Sequence, residues 1–541
     1  MVNGPWWRRA VIYQVYVRSF ADSDGDGMGD LAGVRSRLPY LHDLGVDAIW
    51  LNPFYPSPQA DAGYDVADYR GVDPMFGTLA DFDALIDDAH HHSFKVIVDL
   101  VPNHTSNEHP WFAAALAAEP GSRERNRYVF REGRGPDKDE PPNDWASVFG
   151  GPAWHRVTER DGTPGQWYLH LFAPEQPDLN WTNDEVKDEF DSILRFWLDR
   201  GVDGFRVDVA HGMAKHPDMP DIAGAYEGAG PAAEGHPYWD QDEVHEVYRR
   251  WRRVADSYPH EVTFVGEVWV QTPERLARYL RPDEMHTAFN FDFLLAPWDA
   301  EAMRTAIDGS IAALAGVGAP TTWVLSNHDV VRHVTRYGGG DLGRRRARAA
   351  ALLMLALPGG AYVYQGEELG LPQVTDLPDE VLQDPTFLRT GGADRGRDGC
   401  RVPLPWSGDA PPFGFGPAGT PWLPQPAGWA TLTAEKQAAD PGSMLNLYRE
   451  ALRLRRRQDL GETPLTWVDV GPEALAFRRG DRFLCVVNFS DTPVDLPAGV
   501  EIVLSSGPPE ADLRMPGSYA IWGYLGETFE AQEGGDISRK S

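Results

Sequence analysis

The chain has 541 residues, which is more than one ordinary domain holds and predicts two or three domains. Hydrophobic residues make up 42% of it and charged residues 24%, a balance typical of a globular protein with a sizeable core. The formal net charge of −31 repels phosphate backbones and anionic lipids, so nucleic-acid and membrane partners are not expected. A neutral small-molecule substrate fits this charge better than a phosphorylated one.

Cysteine content and the N-terminus bear on the cellular compartment. The two cysteines, Cys400 and Cys485, give no sign of a disulfide framework. Residues 1–9 lack the apolar segment of a signal peptide, and no apolar run is long enough to span a membrane. We therefore expect a cytoplasmic protein.

Short apolar runs alternate with amphipathic stretches in the first hundred residues. Residues 11–17, 47–51 and 95–100 are predicted strands, because each is a short apolar run bounded by turn residues. Residues 31–44 and 79–92 lie between them and have the periodicity of helices. Such alternation predicts a parallel sheet wrapped by helices.

The alternation stops at residue 104 and resumes with a predicted helix at 185–198. Residues 104–178 are rich in Pro, Gly, Asp and Trp, which predicts an inserted subdomain after strand three. Five further strand candidates follow, at residues 204–207, 262–265, 287–291, 322–325 and 360–364. Eight such repeats predict an α/β fold of the (β/α)₈ TIM-barrel type.

These patterns predict the domain organisation. The barrel is formed by residues 1–103 and 179–458, interrupted by the inserted subdomain at 104–178. A long irregular segment at about 371–440 follows strand eight, and connections of that length are often functional. Short strands and turns over residues 459–541 predict a C-terminal β-sandwich domain.

In a TIM barrel the active site lies at the carboxyl ends of the strands, so we ask which polar residues occur there. Asp99 lies at the end of strand three and His104 follows it. Asp208 follows strand four, Glu267 follows strand five, and His328 and Asp329 follow strand seven. Arg206 precedes Asp208 by two positions, on the same strand face, where it would keep that carboxylate ionised. Paired carboxylates suit cleavage of a glycosidic bond, because one protonates the leaving oxygen and the other attacks or activates water. Position in the barrel does not by itself assign these roles.

Four strings of residues point to a known family. They are DLVPNH at 99–104, GFRVD at 204–208, GEVW at 266–269 and SNHD at 326–329. In this order they resemble the α-amylase superfamily, glycoside hydrolase family 13, over nearly the whole chain.

The resemblance implies roles for residues in these strings and for Asp65 and Arg401, which lie outside them. Asp208 would be the nucleophile and Glu267 the general acid/base of a double displacement that retains configuration, with Asp329 as the third catalytic carboxylate. The residues expected to bind the nonreducing-end glucose are Asp65, His104, Arg206, His328 and Arg401.

Two more strings narrow the group. QPDLNW at 176–181 and RDGCRVP at 397–403 resemble segments of α-glucosidases and oligo-1,6-glucosidases, although the middle of the second string differs from theirs. In that group the inserted subdomain and the long eighth loop cap the barrel into a pocket, which favours removal of one terminal glucose. We therefore expect a retaining, exo-acting α-glucosidase that releases α-glucose from short α-glucosides.

Two features of the sequence favour different glycosidic linkages in the substrate. Val209, directly after the predicted nucleophile, is the residue that often accompanies α-1,6 cleavage in this group. The string RVDVAHG at 206–212 as a whole resembles actinobacterial maltases, which act on α-1,4 bonds. We expect α-1,4 cleavage of maltose and maltooligosaccharides. Cleavage of isomaltose, and α-glucosyl transfer or isomerisation by the same catalytic residues, remain alternatives.

A loop after strand one predicts a metal site. Asp22, Asp24, Asp26 and Asp30 place four carboxylates at alternating positions, and hard oxygen ligands at that density suit Ca²⁺. Gly33 stands where an EF-hand has its glutamate, so a complete EF-hand is not expected. The oligo-1,6-glucosidases that the chain resembles carry Ca²⁺ in this loop, which implies a structural ion here, with Met28 contributing its backbone carbonyl. No organic cofactor is expected.

Overall fold

The computed structural model describes residues 4–223, 235–417, 419–508 and 514–525. Eight parallel strands, named β1 to β8 in chain order, form one sheet. Their spatial order is β7, β8, β1, β2, β3, β4, β5 and β6. Because β6 and β7 are the two ends of this order, the barrel is nearly closed. The strands are Val11–Val15, Ala48–Leu51, Lys95–Leu100, Gly204–Val207, Thr263–Gly266, Thr287–Ala288, Thr322–Val324 and Gly360–Tyr364. The predicted TIM barrel is confirmed.

The register of the central strands decides which side chains meet at the carboxyl rim. Asp99 of β3 pairs with Arg206 of β4, and Val207 of β4 pairs with Gly266 of β5. The next residues along the chain, Asp208 and Glu267, therefore emerge side by side from adjacent strands. Every residue of β4 and β5 is buried, which holds both exits rigidly in the core.

The helices surround the barrel and fill the longer connections. The α-helices are Leu31–Ser36, Leu38–Leu44, Leu79–His91, Pro110–Ala117, Asp184–Leu198, Val244–Ala255, Pro273–Arg278, Phe291–Leu295, Ala300–Ala315, His333–Arg336, Gly340–Ala356, Pro385–Arg389, Ala434–Ala439 and Met444–Arg457. Short 3₁₀ helices are Trp6–Arg8, Val17–Ser19, Arg125–Arg127, Asp379–Val381, Asp398–Cys400 and Ala427–Thr431. Within the described residues, none of these helices is both long and apolar enough to cross a membrane.

The single helix predicted over residues 31–44 is two helices. Arg37 lies between them with ψ near 3°, outside the helical range. The cause is Pro39, which has no N–H to donate and whose ring would clash with the carbonyl one turn earlier. Proline is tolerated in the first turn of the second helix, where it now stands.

The inserted segment forms a small sheet of its own between β3 and β4. Its three antiparallel strands are Phe130–Arg131, Trp154–Thr158 and Pro164–Leu169. Trp145, Trp154 and Leu171 of this segment share an apolar cluster with Val209 and Trp239, which follow β4. The insertion is therefore packed against the residue next to Asp208. The exact limits 104–178 stay a prediction.

The C-terminal part is an antiparallel β-domain, as predicted. A five-stranded sheet contains, in spatial order, Leu465–Val468, Ala474–Arg479, Phe483–Asn488, Ala520–Leu525 and Val500–Ser505, and a two-stranded sheet joins Val494–Asp495 to Arg514–Met515. Met515 and Val494 of the small sheet pack with Leu484, Val486 and Ile521 of the large one. The predicted extent of this domain, 459–541, includes residues outside the described ones.

Candidate active site

The carboxyl end of the barrel opens into a cavity of about 540 Å³. Five residues predicted from the strand ends line it together, namely Asp208, Glu267, Asp329, His104 and His328. The wall also includes Val148, Phe149 and Phe172 of the inserted segment and Thr386, Asp394 and Arg397 of the long loop after β8. The two additions to the barrel thus cover the rim on which the carboxylates stand.

Arg206 joins the carboxylates of β3, β4 and β5. Its Nη1 donates to Oδ1 of Asp208 at 2.6 Å and to Oδ1 of Asp99 at 2.9 Å, and its Nη2 donates to Oε2 of Glu267 at 2.6 Å. Asp99 lies behind the cavity wall with no exposed surface. A single buried guanidinium therefore sets the mutual position of the two carboxylates that face the cavity.

The charges of this cluster do not balance. Burial raises the pKa of Asp99 to about 6 against the opposing effect of Arg206. Burial also raises the pKa of Asp208 well above its ordinary value; Arg206 opposes this shift, while Glu267 and Asp99 add to it. Because one cation serves three carboxylates, retaining a proton relieves their repulsion. Arg206 alone therefore does not keep Asp208 ionised, contrary to the expectation from the sequence. A proton held between neighbouring carboxylates is what general acid catalysis needs.

Two further donors orient Glu267. The Val209 N–H donates to Oε2 at 3.1 Å, and the indole Nε1 of Trp269 donates to Oε1 at 3.0 Å. Val209 has a φ of +43°, in the left-handed region that a β-branched residue rarely adopts. Such a conformation persists only where the surroundings enforce it, and here the apolar cluster of the insertion packs on this side chain.

Asp329 stands among positively charged and polar groups. Nη1 of Arg397 and Nη2 of Arg401 each donate to its Oδ1 at 3.1 Å, and Nε2 of His328 lies 3.2 Å from its Oδ2. Burial alone would raise the pKa of Asp329, but these three neighbours outweigh burial and hold the pKa well below its usual range. Asp329 is therefore an ionised group.

The two histidines of the cavity that were predicted from the sequence, His104 and His328, are neutral. Burial lowers the pKa of His104 to about 4 and that of His328 well below its ordinary value. The Gln14 amide lies 2.7 Å from Nδ1 of His328, which assigns the ring proton to Nε2, 2.7 Å from the Tyr64 hydroxyl. His104 is oriented through Nε2 by the Gln176 amide at 3.0 Å.

The expectation that Asp65 contacts substrate is not supported by its position. Asp65 has no exposed surface, and its carboxylate accepts hydrogen bonds from the N–H groups of Ala60 and Asp61 at 2.8 and 3.0 Å. Both oxygens are thus used to hold a turn. Asp61, four residues earlier, lines the cavity instead and pairs with Nη2 of Arg397 at 2.7 Å.

Arg401 lies behind the cavity and Arg397 within its wall. Arg401 is 1% exposed, and its Nε donates to the His328 carbonyl at 2.8 Å. Arg397 bridges Asp61, Asp329 and Asp384, the last at 2.6 Å through Nε. Both arginines belong to the string at 397–403, but the family resemblance predicts a substrate-binding role only for Arg401.

The acidic loop after β1 gathers three of its four aspartates. Carboxylate oxygens of Asp22, Asp24 and Asp30 lie within 4.8 Å of one another, a donor set that fits a Ca²⁺ ion. Asp26 is not in this group of three, and its Oδ1 accepts the Met28 N–H at 2.7 Å, so its place in the predicted ligand set stays a prediction. The carbonyl role predicted for Met28 stays a prediction.

Comparison with known proteins agrees with this geometry. A model of the α-amylase catalytic domain matches residues 14–462, and a domain of unknown function, DUF3459, matches residues 465–522. A protein named probable α-glucosidase from Rhizobium meliloti (strain 1021) is 40% identical over 510 residues, 90% of each chain. The oligo-1,6-glucosidase of Parageobacillus thermoglucosidasius is 36% identical over 90% of this chain and 91% of its own.

A solved structure extends the likeness to three dimensions. The crystal structure of the α-glucosyl transfer enzyme XgtA superposes with a TM-score of 0.88 at 38% identity, covering 97% of this chain and 100% of that one. The family model spans the barrel and the cavity that holds the three carboxylates. The chain therefore belongs to the α-amylase family and is a glycoside hydrolase.

Proposed function

We propose that this enzyme is a retaining, exo-acting α-glucosidase that releases α-glucose from the nonreducing end of short α-glucosides. One observation carries the proposal: Asp208 and Glu267 line one cavity and are joined by a single guanidinium, each at 2.6 Å from it. A nucleophile and a proton donor on the same small cavity are what a double displacement needs. The names of the similar proteins support an α-glucosidase.

In the first step, Asp208 attacks the anomeric carbon while Glu267 gives its proton to the departing glycosidic oxygen. The C1–O bond breaks as the bond from C1 to Oδ of Asp208 forms. Arg206 stays bonded to both carboxylates, so its positive charge is present throughout and needs no rearrangement. The ionised Asp329 offers negative charge for the positive charge that develops on the sugar ring.

In the second step, Glu267, now a carboxylate, takes a proton from water, and the water oxygen attacks C1. The bond from C1 to Asp208 breaks and α-glucose leaves. Hydrogen bonds from Val209 and Trp269 keep the Glu267 carboxylate oriented in both protonation states. The His104 and His328 rings, both neutral, border the cavity without competing for the catalytic proton.

The exo action rests on how the cavity is closed. The ion pair between Asp61 and Arg397 joins the loop after β2 to the loop after β8 across 336 residues of sequence. Both side chains line the cavity, and Asp329 is bonded to the same arginine. A sugar chain that continued beyond the nonreducing-end glucose would have to break this pair, so a terminal glucose fits and an internal one does not.

Two measurements test the proposal. They are the anomer of glucose that the wild type releases first, and the products that two variants form with azide. Wild type acting on maltose should release α-glucose as the first anomer seen by NMR. Asp208→Gly should be inactive, and added azide should restore turnover by forming β-glucosyl azide. With Glu267→Gly, added azide should form α-glucosyl azide instead. Asp242→Asn, at an exposed carboxylate, is the control. Initial release of β-glucose, or undiminished turnover by Asp208→Gly, would falsify the proposal.

We propose α-1,4 linkage as the preferred bond and α-1,6 as the second candidate. The string at 206–212 favours the first, whereas Val209, which lines the cavity beside Glu267, favours the second. The ratio of kcat/KM for maltose and isomaltose decides between them. A Val209→Thr variant should move that ratio toward maltose, because Val209 lines the cavity directly beside Glu267, the proposed proton donor to the leaving sugar.

We also propose a structural Ca²⁺ ion held by Asp22, Asp24 and Asp30. The three carboxylates gather within 4.8 Å, and the ion pairs of the described residues include none of them. An ion there would supply the positive charge that three adjacent carboxylates lack.

A cytoplasmic location remains a prediction.

A further inference from the structure

A second cavity lies at the opposite end of the barrel from the active site. It has a volume of about 250 Å³ and is lined by Ala10 and Val11 at the start of β1 and by Asp47, which directly precedes β2. Trp6 and the end of helix Met444–Arg457 contribute to its wall. Because the amino ends of parallel strands lie away from the carboxyl rim, this cavity shares no lining residue with the active site.

Two arginines in the wall of this cavity have no carboxylate bonded to them. Nη1 of Arg9 is buried and has no hydrogen-bond partner among the described residues. Arg455 is 4% exposed, and its guanidinium donates to backbone carbonyls of the segment 355–359. Neither arginine takes part in an ion pair within the described part of the chain. A buried guanidinium without a counter-charge is costly, so an anion in this cavity would be stabilising.

The carboxylates of the cavity do not offset these charges. Both oxygens of Asp47 are already bonded, because Oδ2 accepts the Val11 N–H at 2.8 Å and Oδ1 accepts a hydrogen bond of 2.8 Å from Nη2 of Arg456. Burial lowers the pKa of Arg455 from 12.5 to about 10, although Asp47 and Asp459 oppose this shift. The negative groups in the wall therefore compensate the burial of Arg455 only in part.

A further buried arginine adds to the positive charge of this region. Arg479 is 2% exposed, and burial lowers its pKa to about 9, with the nearby charge of Arg455 lowering it further. Its guanidinium donates to the carbonyls of Ala356, Leu460 and Thr463, and no carboxylate of the described residues pairs with it. The cavity thus borders unbalanced positive charge in a chain whose net charge is −31.

A groove continues from the cavity along the same helix. It has a volume of about 520 Å³, shares Arg456 with the cavity, and is also lined by Arg449 and Arg453. Its acidic residues are Glu450, which is paired with Arg453, and the exposed Asp43. Nε of Arg449 is buried and has no hydrogen-bond partner in the described ranges. The groove therefore gives room, next to further cationic groups, for an organic part attached to an anion in the cavity.

We propose that the cavity binds the phosphate group of a small phosphorylated metabolite, whose organic part lies in the groove. Phosphate suits the cavity because its oxygens accept charge-assisted hydrogen bonds from more than one guanidinium at once. A cavity of about 250 Å³ is several times larger than the share of one water molecule, about 30 Å³, and has room for this group. An extended polyanion such as a nucleic acid is repelled by the net charge of −31. This site is independent of the proposed α-glucosidase function.

The test measures binding of inorganic phosphate and of glycerol 3-phosphate to the whole protein, with glycerol as the neutral comparison. Isothermal titration calorimetry and the thermal unfolding midpoint are recorded at millimolar ligand and constant ionic strength. Both phosphate compounds should bind and raise the midpoint, because they stabilise the folded state, whereas glycerol should do neither. Arg9→Gln should weaken phosphate binding by about tenfold, because a neutral amide replaces a charged donor.

Two further variants make the test specific for this cavity. Arg8→Gln is the matched control, since Arg8 donates to the Gly318 carbonyl and does not line the cavity, and it should bind phosphate as the wild type does. Asp459→Asn should tighten phosphate binding by about two- to fivefold, because it removes a negative charge from the wall. Asparagine tolerates the φ of +52° that residue 459 adopts, so this variant should fold even where Arg9→Gln does not.

The outcomes separate this site from the active site. A wild type that binds neither phosphate compound would overturn the proposal, and so would equal binding by Arg9→Gln and Arg8→Gln or weaker binding by Asp459→Asn. Hydrolysis of maltose by the same wild-type sample reports on the carboxylates at the other end of the barrel. Its absence would count against the α-glucosidase proposal alone.

Discussion

Arg206 and Glu267 are joined by a charge-assisted hydrogen bond of 2.6 Å between Nη2 and Oε2. The other arm of the same guanidinium holds Asp208 at 2.6 Å, so the proposed nucleophile and the proposed acid are fixed by one planar group. Lysine has a single ammonium group and cannot reproduce this fork.

The first prediction follows from that geometry. Arg206→Lys should lower kcat/KM for maltose by about a hundredfold or more, because one carboxylate loses its fixed position while the charge is kept. Steady-state kinetics over a range of pH measure it. Arg200→Lys is the control, since Arg200 pairs with Asp83 on the surface. A loss below tenfold in Arg206→Lys would show that the bridging geometry is not required.

A buried lysine ties the active-site loops to the insertion. Nζ of Lys215 lies 2.7 Å from Oδ2 of Asp178, 2.8 Å from Oδ1 of Asn103 and 2.7 Å from the Gly212 carbonyl. Asn103 precedes His104, and Gly212 follows the proposed nucleophile by four positions. Through these contacts Lys215 acts as a positioning residue for loops on both sides of the cavity.

The second prediction concerns this lysine. Lys215→Met should destabilise the protein by about 3 to 5 kcal/mol, because it leaves the Asp178 carboxylate buried and unpaired. Urea unfolding measures the loss. Adding Asp178→Asn to the variant should recover part of it, since the amide carries no charge. Lys187→Met, at an exposed pair with Asp184, should change little. If both lysine variants behaved alike, the buried pair would have no special role.

The third prediction separates the aspartates of the acidic loop. Ca²⁺ should raise the thermal unfolding midpoint and a chelator should lower it, because binding to the folded state alone stabilises it. Asp24→Asn should abolish the effect of Ca²⁺, whereas Asp26→Asn should keep it, because Asp26 lies outside the cluster of three carboxylates. Scanning calorimetry with and without Ca²⁺ is the measurement. An equal response from both variants would contradict the assignment of ligands.

The sequence was sufficient to predict the barrel and the residues at its strand ends. Strands such as Lys95–Leu100 and Gly360–Tyr364 coincide with short apolar runs, and a parallel barrel brings the residue after each strand to one rim. This is why Asp208, Glu267 and Asp329 could be named before their geometry was known. The inference depends only on local patterns and one rule of topology.

Features that depend on contacts between distant loops could not be predicted in this way. Asp61 and Arg397 meet across 336 residues, and no local periodicity links them. The family resemblance predicts Asp65 as a substrate-binding residue, but only the fold shows that its carboxylate is occupied by backbone N–H groups. The positive φ of Val209 likewise results from packing against the inserted segment.

The last prediction concerns a buried carboxylic acid, Glu367, which follows β8 and contacts the helix Met444–Arg457. Burial raises the pKa of Glu367 from an ordinary value of 4.5 to about 8, and Tyr448 donates a hydrogen bond of 2.7 Å to its Oε1. Between these two pKa values the folded protein keeps a proton that the unfolded chain has lost. The stability that this group contributes is therefore complete below pH 4.5 and is lost as the pH rises to about 8.

Glutamine resembles the protonated acid but does not titrate, so Glu367→Gln should remove this pH dependence. Relative to wild type, the variant should gain stability as the pH rises from 5 to 8, by a difference on the order of 1 to 3 kcal/mol. Urea unfolding of both proteins at the two pH values measures it. Glu246→Gln, at a side chain that is 73% exposed, should show no such trend. A stability difference between Glu367→Gln and wild type that stayed constant across this range would mean that Glu367 is ionised in the folded protein, with its charge compensated by groups other than Tyr448.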